Sequence, residues 1–410
     1  MQSQETQSDF RIPRSVLRLI IVGLLLSAFV VIVISAVSGV GLSELGKIGY
    51  LPFFLSAIAS AARLLVQVVR FRVIAVALGD NPGLDLRGSA VARVASEFVA
   101  LSTPALIGGE FIRAAWLSKR GVRGGRALWI GYFEGLMDVY VSSALSLFAA
   151  AYAFLRGAHL IALTILVVVL ALTLGYTFFF LVPARRGIKV PSELFGLVSF
   201  FLGRRRTRSL ESIIQQGAEA FSHAAESVLT REALPFVLKV LGLTLVQAGL
   251  YGIALWIVLV SAGQSVDLFS STLVAHVAIT VAAIPVTIGG SGITEVTIQS
   301  YLSSVHGASS WAAVVLWRVA SYHVVLAVSG IAFVLLMRGA IEFVLKMPRR
   351  ASTDRTVAYT GGDDRNPPEA VLPVSTIVLA ADTFLGLFRI DSIAPRISNI
   401  NAIPDTASTT

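Results

Sequence analysis

Two phrases of the form P-x-x-I-G-G interrupt apolar sequence, Pro104 to Gly109 and Pro285 to Gly290, and each leads into a glutamate. Glu110 follows the first directly; Glu295 follows the second after Gly292. Proline inside a helix removes a backbone hydrogen bond and clashes with the preceding turn, and paired glycines weaken the helix further. Each phrase therefore ends one half-helix and starts another, whose free N–H groups and positive dipole end suit an anion. Gly108, Gly109, Gly289, Gly290 and Gly292 allow a ligand, or another helix, to come close to the backbone. The plainer reading is that Pro and Gly only shape a tight helix crossing.

Charges inside apolar helices supply the remaining chemistry. Glu134 and Asp138 are four apart and share a helical face, Arg113 lies one turn after Glu110, and Tyr322 lies one turn after Arg318. An uncompensated charge in a bilayer costs at least a few kcal/mol, so each of these must face the protein interior or water. Arg318 could pair with Glu295 or hold a phosphate. Glu134 or Asp138 could hold a cation or pair with Arg113, while Arg113 could equally reach Glu110, hold a phosphate, or snorkel to the surface. Structural ion pairs are the alternative throughout. His276 and Gln247 are lone polar groups best satisfied by helix–helix hydrogen bonds, and Arg63 is placed to reach the interface beside Arg70.

The elements that must position these residues are membrane helices. The chain has 410 residues, 55% hydrophobic and 14% charged, with mean hydropathy +0.80; a soluble domain is about one quarter charged. Its formal charge of +9 sits in loops beside apolar runs, where membrane orientation and anionic lipid account for it, and a nucleic-acid partner is excluded on that pattern. With no cysteine, disulfides, thiolate-bound metals and thiol catalysis are ruled out. Apolar spans are expected at about 16–38, 50–72, 127–155, 159–183, 235–262 and 311–337. The broken stretches cover about 91–117 and 270–300. The first span reads as uncleaved, being too long for a signal-peptide core.

Loop charge sets the topology. Arg70, Arg72, Arg87 and Arg93 come after the second span, and Lys119, Arg120, Arg123 and Arg126 follow the first broken stretch, so both flanks read as cytoplasmic and the stretch re-enters on one side. The flanks of the second broken stretch carry no Lys or Arg and read as outside. The expectation is an all-α, polytopic membrane protein with six full spans and two re-entrant helical hairpins, or eight spans, in an inverted repeat. Both termini are then cytoplasmic, in a plasma membrane. Residues 1–14 read as a disordered N-terminus and 15–340 as the membrane domain. Within it, repeat one runs about 15–155 and repeat two about 159–340, with a cytoplasmic linker at 185–233. Within the linker, Ser209 to Arg231 has helical spacing. Residues 341–410 read as a mostly disordered cytoplasmic tail, with an interfacial helix or floppy segment at Val371 to Phe388.

Enzyme signatures are missing: no H-E-x-x-H, no phosphate-binding loop, no nucleotide-binding glycine motif, no G-x-S-x-G, and too few histidines for zinc. No cofactor, metal or catalytic residue is expected, and the chain does not read as an enzyme. At Pro104-x-x-x-Gly108-Gly109-Glu110-x-x-Arg113, Glu134, Asp138, Pro285-x-x-x-Gly289-Gly290-x-Gly292-x-x-Glu295, Arg318 and Tyr322 the chain resembles a known family. This is the membrane domain shared by the lysylphosphatidylglycerol synthase flippase region and the YbhN-type integral membrane proteins. The resemblance covers about residues 15–340. It implies lipid translocation between leaflets, of an aminoacylated phospholipid or a polyprenol-linked sugar, with those residues lining the substrate path. The synthase's aminoacyl-transfer domain has no counterpart here, which leaves the lipid open. Val286-Thr287-Ile288 stands where relatives carry a further Pro or Gly, so the second hairpin is expected to differ locally. Membrane lipids are the expected partners, with an envelope lipid- or glycan-modifying enzyme as a candidate protein partner. A non-transporting accessory subunit of an envelope pathway and a proton-coupled small-solute carrier are the alternative functions.

Overall fold

A computed structural model describes residues 42–79, 84–103, 106, 108–186, 204–284, 286–308 and 310–346, with isolated helical positions at 25, 29, 32, 33 and 36. The expected span at 16–38, Pro104, Pro285, the first part of the linker and everything after 346 fall outside these residues or nearly so. All regular structure among the described residues is helical. Helix α1 is Leu42–Ile48, α2 Tyr50–Leu78, α3 Leu86–Leu101, α4 Gly109–Ser118, α5 Gly124–Leu155 and α6 His159–Arg186. The linker helix α7 is Arg204–Ser227, followed by α8 Leu234–Ser261, α9 Leu268–Ala282, α10 Ile293–Tyr301, α11 Trp311–Arg318 and α12 Val324–Lys346. A π-helical turn, Leu302–His306, extends α10, and another, Val319–His323, joins α11 to α12.

Five of the described helices are long and apolar enough to cross a bilayer: Tyr50–Leu78, Gly124–Leu155, His159–Arg186, Arg231–Ser261 and Trp311–Met337. They fall where five of the six spans are expected. Helix α6 turns Leu163, Val167, Leu170 and Leu174 outward at three- and four-residue spacing, an apolar stripe of the kind that a helix keeps when its surroundings are lipid.

Both broken stretches fold back on themselves. In the first, Gly88 at the start of α3 lies against the Arg120 guanidinium just beyond α4, and Arg113 Nη1 on α4 donates to Ser96 Oγ on α3 at 3.0 Å. The start of one arm thus meets the end of the other. In the second, α9 packs on α10. The same devices start the arms. Asp85 caps α3 by accepting from the Gly88 N–H (2.7 Å), and Asp267 caps α9 by accepting from the Ser270 N–H (2.9 Å) and hydroxyl (2.7 Å). Each satisfies an N–H that the helix cannot.

Packing between the halves is reciprocal. Helix α2 pairs with its counterpart α8. The first arm of hairpin one, α3, packs on α12, the last helix of the second half; the first arm of hairpin two, α9, packs on α5, the last helix of the first half. That exchange is what a pseudo-twofold repeat requires. Ser142 and Ser146 of α5 bond to His276 and Thr280 of α9, each at 3.0 Å. The linker helix docks on α5 and α6. Phe221 meets the Trp129 ring edge-on at 5.3 Å, and Gly125 lies so close to the Gly217 carbonyl that a Cβ there would collide with it.

Arg70 and Arg93 are expected in loops and Arg63 reaching the interface, and the structure corrects all three. Helix α2 continues to Leu78, and Arg63, Arg70 and Arg93 are buried at 8%, 0% and 4% exposure. Carboxylates pair with each guanidinium inside the fold.

Candidate functional site

The two breaks touch. The Gly289 N–H donates to the Thr103 carbonyl at 3.3 Å, and Tyr322 Oη donates to the Leu101 carbonyl at 2.9 Å. Arg318 sits beneath this joint. Its Nη2 donates to the Gly289 carbonyl (2.6 Å) and reaches Ser291 Oγ (3.4 Å), its Nε pairs with Glu295 Oε1 (2.9 Å), and its guanidinium lies 3.9 Å from the Tyr322 ring centre. The π turn begins directly after Arg318 and carries Tyr322. Such bulges re-aim side chains and are frequent at functional sites. Gly289 has φ +58°, a left-handed conformation open to glycine, and a Cβ there would strike Tyr322 Oη and the Leu101 carbonyl.

Each second arm is closed by its own glutamate. Glu110 Oε2 accepts from the Gly108 N–H at 3.0 Å, and Glu295 Oε2 accepts from the Gly292 N–H at 2.7 Å. At Glu295, three residues past its N-cap, this is the half of a capping box in which a glutamate reaches back to the N-cap backbone, and Glu110 makes the same bond from one residue nearer; glycine has no side chain to supply the other half. Each glutamate also pairs forward with an arginine: Glu110 with Arg113 at 3.4 Å and Glu295 with Arg318. The N-cap N–H groups that the sequence pattern offers to an anion are therefore occupied by the chain's own carboxylates.

Behind the joint lies an ion network shared by α2, α3, α4 and α5. Glu134, 1% exposed, pairs with three arginines: Arg70 (3.0 Å), Arg93 (2.9 Å) and Arg113 (3.2 Å). Asp138 takes both Nη atoms of Arg70, with its Oδ2 at 2.8 Å, and its Oδ1 accepts from Gln247 Nε2 at 3.3 Å. Glu97 pairs with Arg93 (2.8 Å) and Arg63 (3.4 Å). Together with the Glu295–Arg318 and Glu110–Arg113 pairs, five arginines face five carboxylates, and the cluster sums to zero charge. Buried charges persist only under such pairing. No group of three or more His, Cys, Asp or Glu suited to hold a metal occurs among the described residues.

The network and the joint enclose a cavity of about 220 Å³ lined from both halves, by Arg63, Gln67, Glu97 and Asp138 on one side and His276, Thr280, Gly289 and Arg318 on the other. Of the residues singled out from sequence, Glu110, Arg113, Asp138, Gly289, Arg318 and Tyr322 reach this wall. Glu134 and Glu295 stand behind it, holding arginines. Gln247 and His276 make helix–helix hydrogen bonds: His276 Nδ1 with Ser142, and Nε2 with the Ala248 carbonyl at 3.4 Å. Gln67 and Glu97 escape a motif reading altogether. The signal that finds them is polar spacing inside helices: Arg63, Gln67 and Arg70 fall at i, i+4 and i+7 of α2, and Arg93 and Glu97 at i and i+4 of α3, so each set shares one face.

The family model described as the lysylphosphatidylglycerol synthase TM region matches residues 20–329, a range that holds both hairpins, the ion network and the joint. A UPF0104 membrane protein of Archaeoglobus fulgidus is 25% identical over 232 residues, which are 56% of this chain and 70% of that protein. No solved structure matches the chain. With the matched range spanning three quarters of its length, the chain belongs to the lysylphosphatidylglycerol synthase TM region family.

Proposed function

We propose that this protein moves the polar headgroup of a membrane lipid between leaflets, by alternating access through the cavity between its two halves. The observation that carries the reading is the position of that cavity: a chamber at the meeting point of two broken hairpins, lined by charged, polar and apolar residues of both repeats. Broken helices in membrane transporters survive where they line a wet cavity, and such cavities sit at repeat interfaces. At about 220 Å³ the chamber lies below the roughly 300–1,000 Å³ of sites that swallow a drug-sized ligand. It fits a headgroup whose chains stay in the bilayer. The chain performs no covalent chemistry in this scheme. The bilayer in question is the plasma membrane, with both termini cytoplasmic.

A cysteine-free sequence makes a direct test available. Ser146→Cys with Thr280→Cys places a thiol pair across α5 and α9, and so across the two halves. In proteoliposomes with a fluorescent lipid and an external quencher, the reduced protein is expected to make inner-leaflet lipid accessible and the oxidised protein to stop doing so. Equal rates for reduced protein, oxidised protein and protein-free vesicles would reject translocation. A second reading, a non-transporting accessory subunit of an envelope lipid or glycan pathway, is favoured by one observation, the complete pairing of the ion network. Copurification of a lipid- or glycan-modifying enzyme with a protein that moves no lipid would establish it.

A further inference from the structure

The charges of the cavity are already committed to one another. Among the described residues, each carboxylate oxygen of Glu97, Glu110, Glu134, Asp138 and Glu295 has a donor or cation against it, and each of the five arginines has a carboxylate. A ligand phosphate or ammonium would have to break one of these pairs and leave its partner buried and uncompensated. Hydrogen-bonding capacity, by contrast, is left over. Gln67 Oε1, Gln247 Oε1, Ser321 Oγ and Arg63 Nε are buried atoms with no hydrogen-bond partner, and all four residues line the cavity. Gln67, Ser321 and Arg63 are 2%, 4% and 8% exposed. At Gln247 the assignment is set by chemistry: its nitrogen faces the Asp138 carboxylate, which only accepts, so the free end is the carbonyl.

We infer that the cavity takes an uncharged, hydroxyl-rich headgroup, a glycosyl or polyol group, recognised by Gln67, Gln247 and Ser321, with the arginine–carboxylate network serving as its rigid frame. Arg113 Nε and Arg318 Nε also lack a hydrogen bond but face the Glu134 and Glu295 carboxylates; the atoms facing no counter-charge are two acceptors, one donor and one hydroxyl that does either. A run of hydroxyl groups, each both donor and acceptor, meets that set without disturbing any ion pair. Tyr251 also lines the cavity and is an aromatic residue suited to the C–H faces of such a group. This ligand class rests on the proposal that the cavity is the headgroup site; it does not require that the headgroup be moved.

Native mass spectrometry of the purified full chain tests it, with three probes of matched acyl chains: monoglucosyl diacylglycerol, phosphatidylglycerol and phosphatidylethanolamine. The unaltered protein is expected to retain the glucosyl lipid about tenfold over either phospholipid, from two or so added hydrogen bonds. Gln67→Leu and Gln247→Leu are expected to remove that preference, bringing glucosyl-lipid retention down to the level of the phospholipids. Equal or stronger retention of phosphatidylglycerol or phosphatidylethanolamine by the unaltered protein would overturn the inference, as would variants that keep the glucosyl preference. The competition on the unaltered protein needs no variant to fold. Failure here leaves the disulfide-gated transport assay standing, whereas glucosyl retention without transport supports the ligand class and rejects translocation.

Discussion

The two hairpins share a shape and differ in chemistry. Both start with an aspartate cap, Asp85 or Asp267; both close their second arm with a glutamate bonded back to a glycine N–H, Glu110 or Glu295. The first, however, carries Arg93, Glu97 and Arg113 into a network held by Glu134. The second carries Ser271, His276 and Thr280 and has a single buried ion pair, Glu295–Arg318. Caps and glycines bend the chain in both halves, while charge is concentrated in one, so the cavity has an ionic wall and a hydroxyl-and-imidazole wall. Strain is unequal as well. The second break is the tighter at the first glycine of its pair, because Gly289 sits against the Tyr322 hydroxyl and a carbonyl, whereas a Cβ at Gly108 would come closest to the Val99 methyl, at 3.1 Å.

Exchanging the two tight glycines should give the largest contrast. Gly289→Ala faces a positive φ and two collisions and is expected to abolish recovery of monodisperse protein by size-exclusion chromatography. Gly108→Ala, with φ +122° but a yielding neighbour, is expected to remain folded at a cost of about 1–3 kcal/mol. Next are the ion pairs. Glu134→Gln strips three buried arginines of their common partner and should destabilise by about 3–5 kcal/mol in denaturant titration. Glu295→Gln strips one and should cost less. If Glu295→Gln proved the worse, the ionic centre of gravity would lie in the second hairpin. Tyr322→Phe removes one hydrogen bond of the joint and is expected to cost about 1 kcal/mol of thermal stability.

The smallest effects belong to the caps. Asp85→Ala and Asp267→Ala should each cost about 1 kcal/mol, equal within error if the hairpins start by the same device. Asp267 adds a pH signature. Hydrogen bonds from the Ser270 backbone and hydroxyl hold its carboxyl below the ordinary value. Its contribution is therefore fully present above a carboxylate pKa of about 3.9 and fades as pH falls through the lower folded value. Asp267→Asn keeps the cap without the titration. A melting curve against pH is expected to coincide with the unaltered protein near neutrality and to decline less below about pH 4.

The shape of the site was open to a reading of the sequence, and its electrostatics largely were not. The repeated P-x-x-I-G-G phrases with trailing glutamates mark both hairpins, since Pro and Gly act locally on the backbone that contains them. Arg63, Arg70 and Arg93 mislead because a guanidinium at the edge of an apolar run looks the same whether it faces the cytoplasm or a carboxylate on another helix. Glu134 looks like one member of an i, i+4 pair with Asp138, yet its partners come from α2, α3 and α4, tens of residues away in the chain. Tertiary neutralisation leaves no local mark except the helical spacing of the polar residues themselves.

The joint between the hairpins has a consequence for divergence. Its acceptors are the Thr103, Leu101 and Gly289 carbonyls, and one of its donors is a main-chain N–H. Peptide groups are present whatever the side chain, so the acceptor side of the joint tolerates substitution in the lining on either side, whereas its side-chain donors, Tyr322 and Arg318, do not. Change is thereby admitted along the cavity walls and refused at Gly289, Arg318 and Tyr322, where the two bends meet.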